Sequence, residues 1–320
     1  MRVLNGLWNT NKERRVKLTQ LRLPEPTRSE MKNLPLAESF LTVGRTGSRD
    51  LWALAKLTPF APVAISLMRL FDRPDVPIDE VAHLIASDPA LASEMLVLAN
   101  SPLLGFRAQV TNLGHAVTVL GIDRIQSIAA ALAMRSLLEG APKTPVMRHI
   151  WRHSVATSGI AEALASAYGV ARSVAGTAAI LHDLGRVGLL TAHAQAYTLL
   201  AVQSHENAAA ILAAEKAKFG MDHCEAGALL THAWRFPEEF QVVTADHRKE
   251  PAGTLDVLSL VQTSCRLAES YNFAAIAHGG HQRTEDILGA CVPEAIRPAV
   301  EKLLTGIEEQ LAAHIESLDF

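Results

Sequence analysis

Apolar positions recur with a helical period along most of this chain from Asp50 onward. Ile78, Val81, Ala82 and Ile85 fall at i, i+3, i+4 and i+7, one stripe of an amphipathic helix. Asp88 followed by Pro89 reads as an N-cap with proline at the first helical position. Leu91, Met95 and Leu98 mark the inward side of that helix, which runs out at Asn100 and Ser101, residues that favour helix ends. Asp123 with Gln126 reads as a capping box ahead of Ile125, Ile128, Ala129 and Leu132. Gly140, Pro142 and Pro145 then interrupt the period and suggest a junction between two helical halves.

The second half resumes with Ile150, His153, Ala156, Ile160, Ala163 and Ala167 on one face. The stretch from Arg172 to Asp183 is almost wholly small and apolar, the pattern of a helix buried on all sides. It ends in His182-Asp183, and Gly185 is expected to release the helix there. Asp222 and Glu225 form a second capping-box signature before His223, Ala226, Gly227 and Leu230. Pro237 opens a helix aligning Phe240, Val243, Thr244 and His247, and Leu255 to Ser270 carries Leu258, Val261, Cys265 and Ala268 on one side. A last helix is expected from about Pro293 to Ser317. No alternating strand pattern of useful length interrupts these, so the fold is expected to be all-α.

Residues 1–47 stand apart. Lys12, Arg14, Arg15, Lys17, Arg22, Arg28 and Lys32, broken by Pro24, Pro26 and Pro35, describe a basic solvated arm or a docking segment for an acidic partner. Gly44, Gly47 and Ser48 read as a linker. The expected organisation is therefore an arm over 1–47, helical halves over 48–142 and 143–275, and a helical extension over 276–320.

Composition narrows the function classes. The net charge of −3 over 320 residues provides no basic footprint for nucleic acid. No apolar run approaches the roughly 18–20 residues that span a bilayer. The start lacks the apolar core of a signal peptide, and Cys224, Cys265 and Cys291 are an odd, scattered set, so reduced thiols and a cytoplasmic location are expected.

The chemistry lies in four places where a ligand-type side chain shares a face with apolar residues: His153, the His182/Asp183 pair, His223 and His247. A buried imidazole beside a buried carboxylate is costly unless both are compensated, and a divalent ion is a usual compensator. If these helices share one core, the side chains converge as they do in helical histidine/carboxylate metal sites. His149, one turn before His153, is an expected outer ligand or hydrogen-bond partner, and Asp246 an expected carboxylate donor beside His247. His83, His115, His193, His205, His232, His278, His281 and His314 are read as surface or loop residues. Each aligned histidine taken alone is more often a core histidine with one satisfied hydrogen bond, and it is the four together that point to a shared site.

At these residues the chain resembles the HD superfamily of metal-dependent phosphohydrolases, and its first half narrows the resemblance to the HDOD branch, found mostly in bacterial signalling proteins. The motifs are Leu57-Thr58-Pro59-Phe60-Ala61-Pro62-Val63, Ser87-Asp88-Pro89-Ala90-Leu91, Leu98-Ala99-Asn100-Ser101, Trp151-Arg152-His153-Ser154, Leu181-His182-Asp183-Leu184-Gly185-Arg186 and Asp222-His223-Cys224-Glu225-Ala226-Gly227. The resemblance implies an all-helical body with the His-Asp helix at its centre. It also implies a first metal held by His153, His182, Asp183 and a later Asp. Cys265 stands where that Asp belongs, which removes a hard anionic ligand while leaving a thiolate for zinc or iron.

The related HD-GYP phosphodiesterases imply a second ion at His223 and His247, but Asp246 replaces a histidine and the Gly-Tyr-Pro signature is absent after it. Arg186 stands where those enzymes carry a lysine near the substrate phosphate. The resemblance thus implies a non-catalytic signalling module with a residual metal or anion site (one or two ions, Fe, Mn or Zn, or none) and an unidentified signalling-protein partner. The alternatives are a phosphohydrolase acting on a phosphate ester or cyclic nucleotide, with Asp183 and Arg186 in its chemistry, and a structural relic without a ligand.

Overall fold

The computed structural model describes residues 54, 60–71, 73, 75–101, 109–139, 143–280 and 282–317, and every regular element among them is a helix. The basic arm and its linker lie outside the described residues. In chain order the first half supplies α1 (Pro62–Leu70), α2 (Ile78–Ala86), α3 (Pro89–Ala99), α4 (Leu113–Leu120) and α5 (Ile122–Glu139). The second half supplies α6 (Pro145–Tyr168), α7 (Arg172–Leu181), α8 (Leu184–Ala192), α9 (Ala194–Ala201), α10 (Ala208–Phe219), α11 (His223–Ala233), α12 (Glu238–Asp246) and α13 (Val257–Ser270). Three short helices follow: α14 (Thr284–Cys291), α15 (Arg297–Leu304) and α16 (Ile307–Ser317).

The expected starts of α3 and α11 are borne out. The Asp88 carboxylate accepts from the backbone of Ala90 and Leu91 at 3.0 and 3.1 Å, and Asp222 and Glu225 close a reciprocal capping box at the head of α11. Asn100 ends α3 as expected and does more. Its amide donates to Leu96 O and Val110 O at 2.8 and 2.9 Å and its carbonyl accepts from Val110 N at 2.8 Å.

Other boundaries differ. Asp123 lies inside the first turn of α5 and does not cap it; the chain turns at Gly121, whose φ of +87° is open to glycine, and α4 and α5 meet at 103°. No single helix among the described residues is long and apolar enough to cross a membrane. The expected terminal helix is two, α15 and α16, broken at Gly306, and α14 precedes them.

α7 is the central element. It packs against α5, α6, α12 and α13, and all but Arg172 and Val174 of its ten residues are buried. A helix of Ala, Gly, Ser and Thr lets neighbouring backbones approach closely, which is why so many elements can surround it. The first half reaches the second elsewhere too. Phe60 lies 6.1 Å from the Trp234 ring and 5.2 Å from that of Phe236, and the Arg69 guanidinium donates to the Arg235 carbonyl.

The chain breaks directly after α7, at His182 and Asp183, and α8 begins with Leu184. Gly185 therefore does not release a helix; it lies inside the next one. A Cβ on Gly185 would stand 1.8 Å from His223 O and 2.5 Å from Gly227 N. The glycine is there so that α8 and the start of α11 can touch backbone to backbone, which brings His223 to Asp183.

Candidate metal centre

Five parts of the fold deliver six donors to one cluster. His153 comes from the middle of α6, His182 and Asp183 from the break after α7, His223 from the first position of α11, His247 from the end of α12, and Cys265 from α13. His153, His182, Asp183, His223 and His247 are wholly buried, and Cys265 is buried with them.

Asp183 sits between two pairs of imidazoles. Its Oδ2 lies 3.7 Å from His153 Nε2 and 3.8 Å from His182 Nε2, while Oδ1 lies 3.3 Å from His247 Nε2 and 3.5 Å from His223 Nε2. Sγ of Cys265 is 3.4 Å from His153 Nε2, and Sγ of Cys224 is 3.9 Å from the nitrogens of His247.

The far nitrogens fix the tautomers. His153 Nδ1 donates to Phe273 O at 2.8 Å, His182 Nδ1 to Ala179 O at 2.6 Å and His247 Nδ1 to Thr244 O at 3.1 Å. His223 Nδ1 donates to the Glu215 carboxylate at 2.6 Å. A carbonyl or carboxylate only accepts, so all four Nδ1 atoms carry hydrogen and all four Nε2 atoms turn toward Asp183.

Two consequences follow. The Nε2 atoms of His153 and His182 stand 3.1 Å apart with lone pairs opposed, an arrangement that asks for a shared cation. Asp183 Oδ1 and His223 Nε2 are buried without any hydrogen bond. The donor set of imidazole, carboxylate and sulfur is that of a transition-metal site, so these residues fit a divalent ion.

The electrostatics separate the two pairs of imidazoles. Burial pushes His153 down to about 4 despite Asp183, and burial likewise holds His182 well below the ordinary range, so both are neutral ligands at neutral pH. Burial works to raise Asp183, but Arg186, with His182, His247 and His223, holds it well below the usual carboxylate range. Burial and Arg186 act to lower His223, yet Glu215 and Cys224 outweigh them and push it up to about 9. Burial opposes ionisation of Cys224, and His223 and His247 overcome it to bring the thiol down to about 5.

The HDOD domain family model matches residues 57–250, more than half of the chain. The chain belongs to the HDOD domain family. Among solved structures it is similar to an HDOD domain protein of unknown function from Geobacter sulfurreducens, with 22% identity, 89% of this chain and 94% of that chain covered and a TM-score of 0.60. A candidate signal transduction protein from Marinobacter aquaeolei aligns over 93% of this chain and 68% of its own, with 19% identity and a TM-score of 0.64. A candidate phosphohydrolase from Shewanella amazonensis covers 83% of this chain and 98% of its own, with 18% identity and a TM-score of 0.60. An uncharacterised protein of Treponema pallidum is 23% identical over 201 residues, and the match spans 62% of this chain and only 39% of that relative.

Against the expected HDOD site, His153, His182, Asp183, His223, His247 and Cys265 come together and two residues do not. His149 is exposed, because one turn of helix leaves a rotation of about 40° and α6 presents only His153 inward. The Asp246 carboxylate pairs with Lys249 Nζ at 2.8 Å at the surface, since its neighbour His247 takes the inward direction about 100° away. Of the other histidines, His205 and His278 are in loops as expected but buried.

Arg186 is also placed differently from a substrate-facing cation. It is buried, donating to Asp183 Oδ2 at 3.0 Å, Glu215 Oε1 at 2.9 Å and Tyr197 Oη at 3.1 Å. Glu215 and Cys224 were missed from sequence. A signal for Glu215 exists: Ile211, Glu215 and Phe219 fall at i, i+4 and i+8 and are the buried residues of α10.

Proposed function

We propose that this HDOD protein is a regulatory module whose core holds a divalent metal ion without hydrolysing a substrate. The observation that carries the reading is the burial of the whole donor cluster together with the engagement of Arg186 Nε and Nη1 by Asp183 and Glu215 within the core. His153, His182, Asp183 and Cys265 would hold one ion, and His223 and His247, sharing Asp183, a second. Such an ion, when bound, supplies charge to a buried carboxylate and opposed lone pairs, and in an open site would activate water. The chain's own residues do the rest. Glu215 and the backbone carbonyls orient the rings, Arg186 balances Asp183, and the surrounding helices exclude water and phosphate esters alike.

A second reading, phosphohydrolysis at the same centre, is favoured by the four convergent imidazoles around one carboxylate. Two measurements separate the two. Protein purified without a chelating column and reconstituted with zinc, iron(II) or manganese should retain metal by elemental analysis. It should turn over neither a generic phosphodiester nor a cyclic dinucleotide above the level of Asp183→Ala. Turnover lost in Asp183→Ala would establish the phosphohydrolase, and failure to retain any metal after reconstitution would remove the metal from both readings.

A further inference from the structure

The two thiols at this centre are placed so that each half of the donor cluster holds one sulfur. Sγ of Cys265 joins the Nε2 atoms of His153 and His182 in one group, and Sγ of Cys224 joins His223 and His247 in another, with the ligand atoms in each group within 4.8 Å of one another. All of these side chains are buried, and Asp183 Oδ1 and His223 Nε2, which have no hydrogen-bond partner, point into the same space.

We propose that the metal site of this chain is a thiolate site in both halves, with Cys265 and Cys224 as ligands, selective for zinc, cobalt(II) or iron(II) over magnesium and manganese. The inference rests on the metal reading above and adds the ligand chemistry and the metal class. Its logic is compositional. Each half offers two imidazoles and one sulfur, with Asp183 grouped with His182 and His247 between them; zinc accepts such donors, whereas magnesium and manganese favour oxygen. Cys265 stands in α13 beside His153 at 3.4 Å, the distance of a thiol that now donates weakly to a ring nitrogen. On metal binding that thiol proton leaves for solvent and the sulfur lone pair joins the ion, as ligand thiols require. Cys224, next to His223 on the first turn of α11, is brought to the His247 ring by the packing of α11 on α12, where a Cβ on Gly227 would stand 2.4 Å from Thr244 Cγ2.

Cobalt(II) reads this directly in the full-length metal-free chain. Thiolate ligation produces a near-ultraviolet sulfur-to-cobalt charge-transfer band, and tetrahedral geometry produces intense visible bands. The expected result is a charge-transfer band that saturates with bound cobalt and is displaced by zinc, but not by a tenfold excess of manganese. Cys265→Ser and Cys224→Ser should each lose about half of the band, and Cys291→Ser none of it. Cys265→Asp should keep the bound metal, lose its share of the band and narrow the zinc-to-manganese preference at least tenfold. Cobalt retained at the same stoichiometry without a charge-transfer band overturns the thiolate inference and leaves the metal reading standing. No cobalt retained overturns both. The spectrum of the unsubstituted chain decides between these outcomes even where a cysteine variant fails to fold.

Discussion

Glu215 is the residue on which the centre turns, although it touches no proposed ion. One of its oxygens accepts from both the backbone and the ring of His223, at 2.9 and 2.6 Å, and the other from Arg186 and Tyr197, at 2.9 and 2.7 Å. Burial alone would raise its pKa, but His223, Arg186 and these hydrogen bonds bring it down to about 2. The folded-state value thus lies below the ordinary one of 4.5. Its contribution to stability is complete above that pH and is lost as the pH falls toward about 2. Unfolding by urea across that window should show a steep acid limb in the metal-free chain, flattened in Glu215→Gln. The same variant leaves Arg186 and His223 short of a buried anion, and about 3 kcal/mol of stability should be lost at neutral pH. Zinc affinity, measured by competition titration, should fall by about 10–100-fold, the usual effect of losing a group that orients a ligand. The sequence made the ligands readable because each imidazole shares a helical face with apolar residues. Glu215 was hidden because Lys216 and Lys218 follow it in α10, so that it looked like part of a solvated face.

At the scale of elements, the junction of α8 with α11 carries the assembly. Gly185→Ala places a methyl group against the carbonyl of His223, a backbone atom that cannot rotate away. The two helices must separate, and the expected cost is at least about 3 kcal/mol by urea denaturation, the upper end of overpacking, with weakened metal binding because His223 moves off Asp183. Gly289 in α14 is the control: no atom stands within 4 Å of a Cβ there, and Gly289→Ala should gain about 0.5–1 kcal/mol from helix propensity. The contrast shows what periodicity can and cannot reveal. The spacing of apolar residues reveals α2, α3, α5, α6, α7, α11, α12 and α13, whereas α8, α9 and α10 are not read from it. Gly185 within Leu-Gly-Arg reads equally as a stop or as a contact, since the partner that decides it lies on a helix nearly forty residues away. The split between α15 and α16 was lost for a related reason: apolar residues continue across it, and the break lies in the backbone, extended at Thr305 and left-handed at Gly306 with φ +74°.

For the whole molecule the decisive property is that the donor cluster lies where α6, α7, α8, α11, α12 and α13 meet, while α5 of the first half also packs against α7. A ligand bound at that junction contacts the ends or middles of six helices and so acts on folding and on the relation between elements before it acts on any solute. Mass action sets the size of this effect. Zinc at about 100 times its dissociation constant should add about 2.7 kcal/mol, which for a body of this size raises Tm by about 5–10 °C. Asp183→Asn, which removes the charge shared by both pairs of imidazoles while keeping the side chain's shape, should abolish that rise. Differential scanning calorimetry at several zinc concentrations checks both. A Tm that does not respond to zinc in the unsubstituted chain would mean the cluster is held by its own protons and hydrogen bonds. A response carried by α7 has a direct route to the first half, because α5 packs against the same ten-residue helix that ends at His182. Metal occupancy could then alter the first-half surface without any substrate entering the core.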